Sequence, residues 1–378
     1  MAVLSRILVR EPLDKYVVWL VLALSAVGVV TVYSAIAYLA DTKAGGDTSG
    51  LLLGHVMKLG LALTVMLAVS YIDYRLIAQF AKAFLIGSLV LLVVVKLAGV
   101  ASGGATRWLR IGAFGFQPSD LARFSLILYA ASLLARKQTY MESFSRAFAP
   151  LLFWMLVTGI LIGMEDLSTA LVALAVVGLM GFVARVRIWQ LAAVAGIVLT
   201  LGYALLLTSP HRAARVESFV GVKIFPHTSA EEVFSERDEG YQSRQARIAM
   251  AMGGLTGKGP GKSTQRNFLP EAYNDFIFAI IAEEYGALGA LAILAMLMAF
   301  LFRGFLRIAR YAPDPLGLFL AVGLTAAIAI YGFAHAGVVS GVLPVTGLPL
   351  PFVSYGGTSM LISGVMVGML LNISRQLR

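Results

Sequence analysis

The sequence predicts an all-α integral membrane protein of about ten transmembrane helices, with a large extracytoplasmic loop between the seventh and eighth. Three observations predict it. Of the 378 residues, 59% are hydrophobic and only 13% charged, against roughly 25% charged in a soluble domain. The apolar residues come in runs long enough to cross a bilayer, and Lys and Arg gather in alternate connections between those runs. A water-soluble enzyme, a coiled coil, a collagen and a disordered chain are all excluded on the first two counts. At about 20 residues per span plus connections, the length allows nine to eleven helices in a single polytopic domain covering 1–378.

Apolar windows place the spans at about 16–40, 51–72, 76–100, 119–135, 147–164, 168–184, 188–208, 276–302, 316–343 and 357–373. The first window is too long for the apolar region of a cleavable signal peptide. The N-terminal arm carries Arg6, Arg10 and Lys15, and the second connection Arg75 and Lys82. The fourth carries Arg136, Lys137 and Arg146, the sixth Arg185 and Arg187, the eighth Arg303, Arg307 and Arg310, and the tail Arg375 and Arg378. The alternate connections differ: the first sets Lys43 against Asp41 and Asp47, the fifth has Glu165 and Asp166, and the ninth (344–355) has no charge. The positive-inside rule then puts both termini in the cytoplasm. The third connection, with Arg107 and Arg110, is the exception, which marks it as a functional loop. A net charge of +10 is explained by these cytoplasmic loops, and no nucleic-acid partner is expected.

The seventh connection, 209–275, holds nine Lys/Arg and eight Asp/Glu in 67 residues. Its mixture of Gly, Lys, Gln and aromatic residues favours a functional loop over a disordered one. Within it, Gly257 through Thr264 looks like a phosphate loop. A Walker A motif requires Gly where Thr256 stands and a preceding strand, so ATP binding is not predicted. Gly-rich backbone beside Lys258, Lys262 and Arg266 still suits an anionic group such as a pyrophosphate, with a solvated basic turn as the plain alternative. Asp275 closes the loop at the outer membrane boundary. There it is either a partly desolvated carboxylate whose raised pKa suits a general base, or an ordinary interfacial Asp near a helix N-terminus. Glu283 and Glu284 lie two turns deeper, where carboxylates are expensive and signal function or a buried pair. His335 in the ninth span poses the same choice.

Cysteine is absent and the four His show no ligand spacing, so thiolate chemistry and a His-based metal site are unsupported. A divalent cation such as Mg²⁺, bridging a carboxylate to a pyrophosphate, is compatible with the residue set but specified by no spacing. Trp108 in the third connection is either an interface anchor or, with Arg107, a support for a lipid headgroup. Ser119 and Asp120 can cap the fourth span.

Five segments together resemble the SEDS family of peptidoglycan polymerases. They are GATRWLRIGAFGFQPSD at 104–120, Arg215 to Phe219, Gly240-Tyr241-Gln242, the run from Gly253 through Gly286, and LPVTGLPLPFVSYGGTS at 343–359. The likeness spans nearly the whole chain. STQRNFLP and DFIFAIIAEEYG are closer to the cell-division member of the family, with the elongation (cell-shape) member as second choice. Asp120 and Arg123 stand where the family has Glu and Lys, Glu165-Asp166 replaces Pro-Asp, Tyr273-Asn274 replaces His-Thr, and His335 replaces Asn.

The resemblance implies a multi-pass protein of the bacterial cytoplasmic membrane that polymerises lipid II at its outer face and releases undecaprenyl pyrophosphate. It implies that Asp275 is the catalytic residue and that Arg107, Trp108, Arg215, Lys258, Lys262, Arg266, Glu271 and Ser354 contact substrate. A class B penicillin-binding protein is the implied partner, alongside lipid II and the bilayer. A lipid II flippase is the competing class. It requires a polar path and broken half-helices, and the sequence shows no pair of them.

The topology is testable because the chain has no cysteine of its own. A cysteine introduced at Ser229 is expected to react with an impermeant thiol reagent added outside the cell. Labelling only after permeabilisation would reverse the map.

Overall fold

In the computed structural model, residues 12–36, 47–98, 100–102, 105–111, 114–138, 148–222, 224–225, 239–269 and 272–377 are described. Arg6, Arg10, Lys43, Arg146, Ser229 and Glu271 lie outside these ranges. The chain is mostly helical. A long helix falls on every apolar window: α1 Lys15–Ala35, α2 Thr48–Tyr71, α3 Tyr74–Gln79 running on as α4 Ala81–Ala98, α5 Pro118–Arg136 and α6 Ala149–Glu165. They continue with α7 Leu167–Val183 and α8 Ile188–Leu207. After the long connection come α11 Ile277–Phe302, α12 Pro315–Val339 and α13 Thr358–Ser374. The connection itself contains α9 Pro210–Val220 and α10 Glu239–Gly253. Among the described residues, five helices are long and apolar enough to cross a membrane by length and composition, those of α1, α2, α8, α11 with its extension, and α12.

Sequence rules explain the helix starts. Asp14, Asp47, Asp166 and Asp314 each accept a hydrogen bond from a backbone N–H of the first turn, satisfying a donor that the helix itself leaves open. Pro118, Pro210 and Pro315 open their helices, where a missing N–H costs nothing. Helix α12 is the hub, buried along most of its length and packed against α5, α7, α11 and α13. Helices α2 and α13 approach closely: a Cβ at Gly364 or Gly368 would lie 2.5 or 2.6 Å from the carbonyl oxygens of Ala62 and Met66. Small residues four apart allow that approach, which lipid alone does not drive.

Two features go beyond the expected helices and long loop. The third connection folds into a small antiparallel sheet, β1 Val100–Ser102, β2 Ala105–Ile111 and β3 Phe114–Phe116, in the order β1-β2-β3. More consequentially, α11 is broken at Gly286, where φ is 68° and ψ −169°. Beyond Phe302 the same helix continues as a π-helical stretch, Arg303–Ala309. Only one broken helix is evident among the described residues, but the sequence pattern had indicated none.

The break is filled by the chain's own loop. Lys258 and Gly259 donate their backbone N–H groups to the carbonyls of Glu283 and Glu284, at 3.0 and 2.9 Å. Across the gap, Ala287 and Leu288 donate to the carbonyls of Gly254 and Leu255, at 2.8 and 3.2 Å. A Cβ on Gly286 would sit 2.3 Å from the Leu255 oxygen, and one on Gly257 would sit 2.2 Å from the Glu284 oxygen. Both positions also have positive φ, so only glycine fits either side of the crossing.

Gly286→Ala is therefore expected to cost about 1–3 kcal/mol from backbone strain alone, with the clash adding to it. Thermal unfolding in detergent should show a clear loss of stability. Gly87→Ala, where a Cβ meets nothing within 4 Å, should change it little. Equal stability of the two variants would contradict the crossing.

Candidate functional site

The loop that fills the break also carries the basic residues singled out from sequence. Lys258 Nζ lies 2.6 Å from Glu283 Oε1, and the same carboxylate accepts from the Thr264 hydroxyl (2.8 Å) and the Thr264 and Gln265 amides (3.0 and 3.2 Å). Ser263 Oγ donates to its other oxygen. Glu284 accepts from the Ser34 hydroxyl of α1 and from the Ser263 amide. Arg266 reaches the same helix, donating to the Ser34 carbonyl and hydroxyl at 3.2 and 3.1 Å. Glu283 is thus engaged at both oxygens and Glu284 at one, its Oε2 having no hydrogen-bond partner among the described residues. This is the buried-pair reading of Glu283 and Glu284, with a lysine and hydroxyls as partners. Of the three loop cations, Lys258 and Arg266 are committed to holding the loop. Lys262 is exposed, and no Asp or Glu lies within 4 Å of it among the described residues.

Asp275 sits on the turn Ala272–Phe276, half-buried, immediately before α11. Two hydrogen bonds hold this turn against the connection between α12 and α13. Tyr355 donates its N–H to the Tyr273 carbonyl (2.9 Å), and Ser354 donates its hydroxyl to the Asn274 carbonyl (2.8 Å) while accepting from the Leu350 amide (2.8 Å). His335 contacts the Leu348 carbonyl through Nδ1 at 2.7 Å and accepts the Phe278 N–H at Nε2, 3.4 Å away. That pair of partners calls for the neutral imidazole protonated on Nδ1. Asn has the same property of one donor and one acceptor, which accounts for His standing in its place. Gly347, at φ 68°, lies against the Asp275 carboxylate, so that a Cβ there would come within 3.4 Å of Oδ2. Backbone therefore lines one side of Asp275.

Sequence reading missed the buried polar cluster beneath this turn. Asp120 and Arg123 are both buried and 3.5 Å apart, and the Arg123 guanidinium lies 3.8 Å from the Tyr331 ring centroid. Arg123, Tyr331, Ser354 and Ser363 line one small enclosed cavity with the 349–352 segment. Asp166 is buried too, its two oxygens accepting from the Thr169 amide and hydroxyl, 3.0 Å each. The signal was present in the spacing of Asp120 and Arg123 on one helix face, but capping explained Asp120 more simply.

The other expected contacts are dispersed. Arg107 and Trp108 lie on β2, with the Trp108 ring against Gly115 of β3. The end of that sheet is tied to α13, since Thr358 donates to the Gly115 carbonyl and accepts from the Gln117 amide. Arg215 is on α9, away from the 272–276 turn in sequence and on a separate element. Among the described residues no three His, Asp or Glu side chains group as metal ligands. A divalent cation at Asp275 would have to draw most of its ligands from substrate phosphates and water.

A helical membrane protein with a carboxylate clasped at the mouth of a loop-filled broken helix is the class defined by this geometry. The family described as "Cell cycle protein", that of FtsW, RodA and SpoVE, matches residues 15–378, and the chain belongs to it. It is 36% identical over 372 residues to a probable peptidoglycan glycosyltransferase FtsW of Geobacter metallireducens, covering 97% of this chain and 96% of that one. It is equally 36% identical to the stage V sporulation protein E of Bacillus subtilis, over 97% and 98%. Among solved structures, one reported for the coordination of polymerization and crosslinking by a peptidoglycan synthase complex superposes with a TM-score of 0.76 at 26% identity, over 96% and 98%. The rod shape determining protein RodA of Thermus thermophilus gives 0.69 at 25%, over 97% of each chain.

The Lys258–Glu283 pair generates a stability prediction. Glu283 is fully buried and Lys258 keeps 27% side-chain exposure. Lys258→Met should cost near the lower end of the 3–5 kcal/mol expected when one partner of a buried pair is removed. Adding Glu283→Gln should recover part of the loss in a thermal unfolding series. Additive losses would show that the two side chains do not depend on each other.

Proposed function

We propose that this chain, as a peptidoglycan glycosyltransferase, polymerises lipid II at the outer face of the bacterial cytoplasmic membrane, with both termini inside. The reading rests on one observation above all: the residues flanking Asp275, namely Tyr273, Asn274 and Phe278, are each fixed by a hydrogen bond, and its carboxylate faces backbone glycine on one side. The 4-hydroxyl of an incoming lipid II attacks the reducing-end carbon of the growing lipid-linked glycan. A glycosidic C–O bond forms, the bond from that carbon to the pyrophosphate oxygen breaks, and undecaprenyl pyrophosphate departs with the electron pair. The hydroxyl proton passes to Asp275.

Each part of the geometry has a place in this scheme. Ser354 and His335 fix the turn that aims the base, and rigid positioning is worth more to such a reaction than any single added contact. Lys262 is the loop cation still available to an anionic leaving group. Lys258 and Arg266 serve the same site by holding the loop in the break. Asp275 would be the residue to hold a Mg²⁺ ion, which would supply charge neutralisation for the leaving group. The solved synthase complex among its relatives supports a partner of the class B penicillin-binding type, which would cross-link the strands. Division and elongation are both open to such a partner, with the FtsW-like segments favouring division.

Asp275→Asn preserves shape and removes the base. Polymerisation of lipid II by the purified protein with its partner should fall by at least about 10²-fold, the usual contribution of a positioned base, with unfolding temperature unchanged. A folded Asn variant that still makes long glycan strands would end the assignment.

A further inference from the structure

Helix α2 contains a single charged residue, Lys58, ten residues past Thr48 and so about 15 Å along the helix from its first residue. An intramembrane cation is expensive, and in folded proteins it is met by a carboxylate, a carbonyl or a ligand. Among the described residues no Asp or Glu is within 4 Å of Lys58. Its Nζ instead lies 4.5 Å from the ring centroid of Tyr355. Tyr355 stands between the uncharged 344–354 segment and α13, so the four-carbon stem carries the ammonium toward that end of the helix.

His55, one turn away on the same helix, is 0% exposed, and neither ring nitrogen has a hydrogen-bond partner among the described residues. Its ring stacks on Tyr355, centroids 5.5 Å apart and planes 21° apart. A buried imidazole with both nitrogens idle demands an explanation. The space beside the Tyr355 hydroxyl is open: a Cβ on Gly54 would meet only that oxygen, at 3.7 Å. Tyr355 is also joined to the Asp275 turn twice, through its N–H to the Tyr273 carbonyl and through an edge-on ring contact with Tyr273 at 5.6 Å. The tight α2–α13 packing at Gly364 and Gly368 keeps these groups in register.

We propose that Lys58, His55 and Tyr355 form a binding site for the pyrophosphate of a polyprenyl-linked substrate, joined to the Asp275 turn through the contacts of Tyr355 with Tyr273. An ammonium, an imidazole N–H and a phenol O–H are three donors converging beside one aromatic ring, and a pyrophosphate offers acceptor oxygens and negative charge to all three. The site supplies a cation from within the helical domain, where the loop cations Lys258 and Arg266 are already engaged. The assignment of the lipid as substrate rests on the polymerase reading; the chemistry of the site does not.

The test is binding of undecaprenyl pyrophosphate to the purified full-length protein in nanodiscs, followed by native mass spectrometry. Lys58→Met should weaken it about 10–100-fold, the range for losing a charge-assisted phosphate contact, and Lys58→Arg should restore most of it. Undecaprenol, with the same tail and no charge, should bind the parental protein and Lys58→Met alike. Replacing an intramembrane charge by an apolar side chain favours insertion, so Lys58→Met should fold, and Lys58→Gln serves as a second neutral variant. Phosphatidylglycerol should compete poorly. The proposal is overturned if the parental protein does not bind the pyrophosphate, if both neutral variants bind it as the parent does, or if phosphatidylglycerol displaces it at equal concentration. Loss of lipid II polymerisation by the parental protein with Lys58-dependent binding intact would instead refute the polymerase reading and leave this site standing.

Discussion

The crossing of the 253–259 loop with the broken helix α11 is the constraint on which the rest of the structure depends. A helix inside a bilayer can be interrupted only if its freed carbonyls and N–H groups find partners. Here four backbone hydrogen bonds from one short loop satisfy them on both sides of Gly286. Because those bonds are made by backbone, they need no particular side chain, but they need close approach, and glycine at 257 and 286 provides it. The side chains then add charge. Lys258 meets Glu283 across the crossing, and Ser263 and Thr264 complete that carboxylate's hydrogen bonds. The result is a long loop that is anchored at its middle rather than only at its ends.

This anchoring explains why the Asp275 turn is well placed. The Ala272–Phe276 turn leads directly into the start of α11. The 344–357 segment closes one side through Ser354, Tyr355 and His335. Below it, Asp120, Arg123 and Tyr331 fill the space between α5 and α12 with a buried polar cluster. Such clusters are costly unless satisfied, and this one adjoins the cavity that reaches Ser354. The Asp275 turn therefore adjoins charged side chains as well as apolar packing.

The helices were legible in the sequence because lipid imposes a composition on every residue of a span, so among the described residues each apolar window coincides with helix. Asp275 was singled out for a different reason, its place at the boundary together with the family pattern, and the structure puts it half-buried on the turn before α11. The break at Gly286 was not legible by hydropathy, since Ile277 to Phe302 remains apolar on both sides of it. The glycines of 253–261 gave the hint and were taken for an anion-binding turn. Periodicity cannot tell a glycine that greets a phosphate from one that greets a carbonyl. The small sheet at 100–116 was hidden for a related reason: its strands are three to seven residues long, too short for alternation to register. His335 was read as a departure from pattern, and only its two partners show that donor and acceptor capacity are preserved.

The break also bears on the choice between polymerase and flippase. A transporter uses an interrupted helix because the unwound backbone offers bare carbonyls and N–H groups to a passing substrate. In this chain those groups are already consumed by Gly254, Leu255, Lys258 and Gly259. A lipid moving through the break would have to displace four backbone hydrogen bonds and separate Lys258 from the buried Glu283, which leaves an uncompensated charge in an apolar surrounding. No such cost attaches to chemistry at the Asp275 turn, which lies before the helix and needs the crossing to stay shut. The same broken helix that resembles a transport device by outline thus works, by its hydrogen bonds, as a brace for the turn that carries Asp275.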